Sequence, residues 1–291
     1  MRNTVKKRSQ GKAVTIERRN LGNTEELKLL TESCPGCGLC ADACPLHALT
    51  FLPAVISNWQ LLRKARIDMD PAKCLFCGAC AAICPQNALE LVKNGQPRIP
   101  LQDSGTMPRI LKSIKVQADK CCITCDLICQ EACPTGAIDV KTSTSADGSK
   151  KIQDVEIEPK LCNFCSRCEE ACPFDSITVE KPITGTAELQ SDECKQDCRI
   201  CADLCPTGAI KRVDSEKMEL EVRFCTFCKT CEKACPEKAI HVQISHLNTS
   251  GERSGVWFNI LERMASAEKL STELSKISGR KRRKSAADRL L

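Results

Sequence analysis

The chain has 291 residues, with 43 Lys and Arg against 37 Asp and Glu for a formal net charge of +6, and it carries 25 cysteines, three histidines and no tyrosine. No apolar stretch reaches the length of a membrane span, and no Gly-rich phosphate loop, nucleotide fingerprint or metalloprotease motif is present, so transport across a bilayer, nucleotide-dependent chemistry and metallopeptidase chemistry are excluded as readings. The odd cysteine count, and a start MRNTVKKRSQGKAV without an apolar signal segment, argue against a secreted disulfide scaffold and for a cytoplasmic protein.

Residues 1–26 read as a basic tail, since residues 1–33 hold eight Lys and Arg against four Asp and Glu. The first cysteine run follows: Cys34, Cys37, Cys40 and Cys44, spaced C-x2-C-x2-C-x3-C and closed by Pro45. After it, LPAVISNWQLLRKARI makes an insert at 53–66 that is longer and more apolar than a hairpin needs. It contains Trp59 and reads as a docking surface for a partner or as packing on its own module. The same spacing recurs at Cys74, Cys77, Cys80 and Cys84, and a linker is expected at 101–112. The third run is a variant, Cys122, Cys125, Cys129 and Cys133, preceded by a further cysteine, Cys121. Regular spacing favours Cys122, whereas alignment on the preceding lysine (Lys73-Cys74 against Lys120-Cys121) favours Cys121, and both stay open.

Residues 141–154, KTSTSADGSKKIQD, read as a polar, flexible tip. Cys162, Cys165, Cys168 and Cys172 restore the regular spacing. Cys194, Cys198, Cys201 and Cys205 widen the first interval by one residue, and Cys225, Cys228, Cys231 and Cys235 close the series. Beyond them, 247–291 reads as an amphipathic basic helix and tail. Ile260, Met264, Ala267, Leu270, Leu274 and Ile277 recur at helical spacing near Trp257 and Phe258, a stripe that must bury itself on a ferredoxin module or on another subunit. We expect this helix to be an attachment element for partner subunits.

Six runs ending in Cys-Pro follow the bacterial spacing for cubane [4Fe-4S] clusters, in which three close cysteines wrap one cluster and the fourth reaches its neighbour. Short two-residue intervals let three thiolates converge while the proline starts a turn. Structural zinc favours two separated C-x2-C pairs, not four thiols in one stretch. C-x3-C-x2-C at Cys194, Cys198 and Cys201 is also the spacing of radical enzymes using S-adenosylmethionine, but Cys205-Pro206 follows in register and no strand–helix barrel pattern accompanies it.

Pairing successive runs leaves none single, which predicts an α+β fold of three tandem two-cluster bacterial-type ferredoxin modules at 27–100, 113–182 and 183–246, with six [4Fe-4S] clusters. Short elements such as PLHALTFL, PQNALELV and PTGAIDVK after each run, with alternating stretches such as SIKVQAD and MELEVR before most, predict short β-hairpins and short helices. Modules this small depend on their metal for stability. Cross-ligation then groups Cys34, Cys37 and Cys40 with Cys84, and Cys74, Cys77 and Cys80 with Cys44. It groups Cys122 (or Cys121), Cys125 and Cys129 with Cys172, and Cys162, Cys165 and Cys168 with Cys133. In the third module Cys194, Cys198 and Cys201 join Cys235, and Cys225, Cys228 and Cys231 join Cys205.

Residues 250–291 hold ten Lys and Arg against five Asp and Glu, so the two termini carry the excess of positive charge and the cluster-bearing middle is acidic. RKRRK at 280–284 lacks any aromatic stacking platform, so no nucleic-acid partner is expected. The chain shows no nucleophile–base constellation, and His47 reads as a polar turn residue. An electron carrier without substrate chemistry of its own is the expectation.

Several cluster modules in one polypeptide resemble the archaeal polyferredoxins. The long insert after ACPLHALTFL, the variant runs CCITCDLICQEACP and CKQDCRICADLCP, and the Trp-led basic tail are most similar to the polyferredoxin (F) subunit family of formylmethanofuran dehydrogenase. That resemblance implies a non-catalytic relay of low-potential electrons in a tungsten or molybdenum complex that reduces carbon dioxide onto methanofuran in methanogenesis, or runs the reaction backward. Its implied partners are the catalytic and electron-transfer subunits of a multi-subunit redox complex.

Overall fold

The computed structural model describes residues 4–20, 22–144, 150–213, 217–251 and 254–264. A strand–helix–hairpin–helix–strand unit is repeated three times along them. The chain begins with β1 (Thr4–Gln10) and β2 (Ala13–Asn20), which lead into the first repeat: β3 (Asn23–Leu30), α1 (Leu39–Asp42), β4 (Leu49–Leu52), β5 (Val55–Ser57), β6 (Gln60–Arg63), β7 (Arg66–Met69), α2 (Ala79–Ile83) and β8 (Leu89–Lys93). After β9 (Gln96–Pro97), α3 (Pro100–Asp103) and β10 (Arg109–Ile110), the second repeat comprises β11 (Ser113–Val116), α4 (Ile128–Glu131), β12 (Ile138–Thr144), β13 (Lys150–Ile157), α5 (Arg167–Ala171) and β14 (Ile177–Glu180). The third comprises β15 (Ile183–Leu189), α6 (Ile200–Leu204), β16 (Ile210–Arg212), β17 (Met218–Leu220), α7 (Thr230–Ala234) and β18 (Ile240–Leu247), followed by β19 (Thr249–Ser250) and α8 (Gly255–Met264).

In each repeat the first strand pairs antiparallel with the last, as β3 with β8, β11 with β14 and β15 with β18, so the repeat closes on itself. The inner hairpins are β4 with β7, β12 with β13 and β16 with β17. Alternation drives this pairing: along β18 every second residue from Ile240 to Ile244 is buried while His241 and Gln243 face solvent. The helices are four- and five-residue turns, too short to stand alone, and are held by the cysteine loops that surround them.

The basic tail expected at 1–26 is instead structured. β1, β2 and β3 form an antiparallel meander that continues through β8 and β9 as a five-stranded sheet. Ile16, Leu27 and Leu29 pack from this sheet into one core with Cys44, Cys80 and Cys84. The many charges misled because they pair on the sheet: Glu17 meets Arg8 and Arg19, and Arg18 meets Glu25 at 2.5 Å. Left-handed turns at Gly11 and Gly22, whose φ angles are 54° and 83°, join these three strands.

The segment 101–112 is no free linker either. Met107 is buried, β10 pairs with β19, and the Ser254 hydroxyl donates to the Thr106 carbonyl. The polar tip expected at 141–154 is shorter than its composition suggests, since β12 runs to Thr144 and β13 resumes at Lys150.

The described part of the C-terminal helix, α8, buries Trp257, Ile260, Leu261 and Met264, the i, i+3, i+4, i+7 stripe of an amphipathic helix. Those residues share a core with Leu39 of α1, Ala43 just after it, Ile83 of α2 and Ile240 and Leu247 of β18. Arg263 Nη1 donates to the Cys44 carbonyl at 2.9 Å. The apolar stripe of this part of the helix is therefore used inside the chain, where it braces the first repeat against the third. Ala267, Leu270, Leu274 and Ile277 lie outside the described residues.

Candidate iron–sulfur sites

Four of the six cysteine runs loop around a hollow, and in each of the four a fourth thiol comes from the other run of the same repeat. Cys74, Cys77 and Cys80 line, with Cys44, about 380 Å³ of empty space. Cys121, Cys125 and Cys129 line about 370 Å³ with Cys172. Cys162, Cys165 and Cys168 line about 310 Å³ with Cys133, and Cys225, Cys228 and Cys231 line about 370 Å³ with Cys205. The two remaining sets are visible electrostatically. Burial pushes the Cys34, Cys37 and Cys40 thiols up, and Cys84 acts on all three. Burial likewise pushes Cys194 up, and Cys201 up to about 12, with Cys198 and Cys235 adding repulsion.

Between the second and third cysteines the chain must turn sharply inward, and left-handed residues do this: Gly38, Gly78, Ser166 and Lys229 precede α1, α2, α5 and α7 in that conformation. A Cβ at Gly38 would lie 2.6 Å from Lys233 Nζ and 3.0 Å from the Phe51 ring, so a side chain there would displace Lys233. In five runs the residue before the second cysteine is also left-handed, and in three of them it is a phenylalanine: Phe76, Phe164 and Phe227 have φ of 56°, 55° and 52°. A bulky residue in that region stores strain, and all three rings are buried. These phenylalanines were not singled out in the sequence. Their signal was position, Cys-x-Phe-Cys in three runs.

The Cys-Pro turns are built alike. The amides of Ala48, Ala88, Ala137 and Ser176 donate to the Sγ of Cys44, Cys84, Cys133 and Cys172 at 3.2, 3.3, 3.2 and 3.3 Å. His47, Asn87, Gly136 and Asp175 supply the left-handed turn just before, which is the place of His47 in the fold. Amides aimed at sulfur favour the thiolate, the form that binds iron.

The donor set fits a cubane cluster. Burial and mutual repulsion push Cys168 to about 12 and Cys225 to about 11, and raise Cys80 and Cys231 far, so four thiolates could share such a hollow only around a cationic core. Among the described residues no three His, Cys, Asp or Glu side chains are arranged to hold a single metal ion. Thiols that ring a hollow suit a polynuclear core better than one zinc.

Cys121 and Cys122 separate cleanly. Cys121 lines the hollow with Cys125, Cys129 and Cys172, whereas Cys122 is outside it and its Sγ accepts a hydrogen bond from Thr124 Oγ1 at 3.2 Å. The geometry points to Cys121. The insert at 53–66 forms the β5–β6 hairpin, whose Ala54, Ile56 and Leu61 pack on Ile200, Leu204 and Ala234 of the third repeat. Its apolar face is thus used within the chain; Trp59 stays 40 % exposed, with Lys195 Nζ 5.8 Å from its ring centroid.

Residues 33–88 and 121–176 match the 4Fe-4S dicluster domain family, and residues 225–239 match the 4Fe-4S binding domain family. The polyferredoxin protein MvhB of Methanothermus fervidus is 37% identical over 101 residues, 33% of this chain and 22% of that protein. The NADH-quinone oxidoreductase subunit I 2 of Geobacter metallireducens is 33% identical over 81 residues, 28% of this chain and 59% of that protein. The chain spans less than two thirds of the length of either relative. A chain of the formate dehydrogenase, heterodisulfide reductase and formylmethanofuran dehydrogenase complex from Methanospirillum hungatei superposes with a TM-score of 0.75 at 26% identity, covering 90% of this chain and 91% of that one. Over residues 33–88, 121–176 and 225–239 the chain thus matches 4Fe-4S cluster domains, and it is similar to a polyferredoxin over a third of its length. Among the described residues no helix is long and apolar enough to cross a membrane.

Proposed function

We propose that this chain is a polyferredoxin holding six [4Fe-4S] clusters and relaying low-potential electrons, as a non-catalytic subunit, to or from a formylmethanofuran dehydrogenase complex. The observation that carries the proposal is the convergence of four thiols on each of four hollows, every set completed across its own repeat, with Cys84 and Cys235 acting on the thiols of the two other runs in the same way. Cys34, Cys37, Cys40 and Cys84 would hold one cluster, and Cys74, Cys77, Cys80 and Cys44 the next. Cys121, Cys125, Cys129 and Cys172 would hold the third, and Cys162, Cys165, Cys168 and Cys133 the fourth. The last two fall to Cys194, Cys198, Cys201 and Cys235, and to Cys225, Cys228, Cys231 and Cys205. When bound, each cluster supplies one-electron transfer without bond making. The polypeptide fixes the spacing of the carriers, shields them from water and sets their charge environment.

Likeness over 90% of this chain to a chain of that Methanospirillum complex supports the choice of partner. The same complex contains heterodisulfide reductase, so a polyferredoxin of a heterodisulfide reductase or hydrogenase assembly is the second reading. Anoxic purification of the tagged chain from its native cells tests both: a co-purifying pterin–metal protein supports the first, and a nickel protein without it supports the second. About 24 iron and 24 sulfide per chain are expected from six cubanes, and zinc in their place would overturn both readings.

A further inference from the structure

Two lysines stand where repeats meet. Lys181 lies between β14 and β15, at the joint of the second and third repeats. Its ammonium donates to the carbonyls of Arg223 and Cys225, the latter at 3.2 Å, which fixes it on the helical turn entering the Cys225 loop. Burial lowers its proton affinity, and the thiolates of Cys225 and Cys165, one from each repeat, oppose that effect. Lys112 occupies the matching place between the first and second repeats. Its ammonium donates to Asn87 Oδ1 and lies 5.6 Å from the Phe164 ring centroid, and its charge acts on Cys84 and Cys162.

Other contacts tie the same three loops together. Asn87 Nδ2 donates to the carbonyls of Cys162 at 2.9 Å and Pro159 at 3.0 Å, while the adjacent Gln86 amide reaches Thr226 Oγ1 at 3.5 Å. The turn after Cys84 therefore touches a cysteine loop of the second repeat and one of the third. Cys37 and Cys228 are near enough for Cys228 to push the Cys37 thiol up further than burial alone. Between the second and third repeats, Arg167 Nε and Nη2 donate to the carbonyls of Thr207 at 2.5 Å and Gly208 at 2.6 Å, just beyond Cys205.

We propose that Lys181 and Lys112 are shared positioning cations of a three-cluster junction, each raising the reduction potentials of two clusters that belong to different repeats. Lys181 serves the sets of Cys165 and Cys225; Lys112 serves the sets of Cys84 and Cys162. The inference rests on the reading that these sets hold clusters. A fixed positive charge favours the reduced, more negative cluster, and one placed between two clusters acts on both, so the step between them stays small. A lysine inside one module would act mainly on one cluster.

The test is a redox titration followed by electron paramagnetic resonance on the full-length, anoxically reconstituted protein, with iron and sulfide counted for each variant. In K181M two of the six reduction steps are expected to move together to lower potential while four stay in place, and K181R is expected to restore both. K112M should likewise move two steps to lower potential. With iron at the unsubstituted level, movement of one step or none in K181M, or failure of K181R to restore two, overturns the inference. Loss of iron from both K181M and K181Q would assign Lys181 a structural role and also overturn it. Fewer than six clusters in the unsubstituted protein would instead fail the functional reading, so the two failures are distinguishable.

Discussion

In the first repeat five of the eight paired cysteines, Cys37, Cys40, Cys44, Cys80 and Cys84, are buried, and a five-stranded sheet closes over the Cys74 loop. In the second repeat the set of Cys162, Cys165 and Cys168 is buried, but none of Cys121, Cys125, Cys129 and Cys172 is. The apolar groups differ accordingly. Fifteen buried residues join one core around the first repeat, against two groups of three in the second. The same ligand pattern therefore sits in a protein core in one place and in little more than its own loops in the other. Cluster chemistry sets the loops, and added strands decide how far the result depends on the cluster.

Metal removal should break this comparison most visibly. In the chelated protein, amide hydrogen exchange is expected to show protection persisting in β2 and β3 while residues 113–180 exchange freely, because the second repeat has almost no core without iron. Equal loss of protection in both repeats would show that the sheet contributes nothing independent of the metal.

The next effect is the loss of a single cluster. Cys121→Ala should remove about 4 of about 24 iron atoms, whereas Cys122→Ala should remove none, since only Cys121 lines the hollow. The reverse result would reassign the ligand.

Core substitutions should act through stability. Trp257→Ala in α8 is expected to cost about 3–5 kcal/mol and to lower the thermal midpoint, with iron retained at low temperature. Leu27→Ala should cost about 2–5 kcal/mol and speed oxygen damage at the cluster of Cys74, while Val140→Ala, half-buried in the second repeat, should cost less than half as much. A larger penalty at Val140 would reverse the ranking of the two cores.

The smallest expected change is at Arg18, whose guanidinium lies 4.6 Å from the Phe76 ring centroid and reaches the Leu75 carbonyl at 3.3 Å. Arg18→Ala should cost about 1 kcal/mol, read as a small fall in denaturant midpoint with no change in iron. No change at all would make the clamp on the Cys74 loop dispensable.

The six cysteine runs were legible in the sequence because ligand spacing is a local property, written in residue offsets. Alternation around Ile240–Ile244 was legible for the same reason. The rest depended on distant partners. Charge density in residues 4–20 concealed strands whose Arg and Glu side chains face one another only once the sheet forms. The insert's apolar residues and the α8 stripe were visible as unpaired surfaces, but that each pairs within the chain follows from how the repeats stack. Cys121 and Cys122 differ by which side of a bend their thiols leave, a matter of φ and ψ that spacing does not encode. The left-handed Phe76, Phe164 and Phe227 went unread because phenylalanine does not advertise that conformation.

The contact of α8 with the first repeat also imposes a timetable. Arg263 and the Cys44 carbonyl it bonds are 219 residues apart in the chain. At the usual pace of translation, about 5–20 residues per second, roughly 10–40 seconds separate the emergence of the two from the ribosome. During that interval the flank of the Cys44 loop stands uncovered, open to whatever delivers iron and sulfide. Once α8 docks, that flank is shut. Delivery before closure is then the natural order of assembly, and a nascent chain halted short of residue 255 should accept cluster into its first repeat faster than the finished apoprotein does.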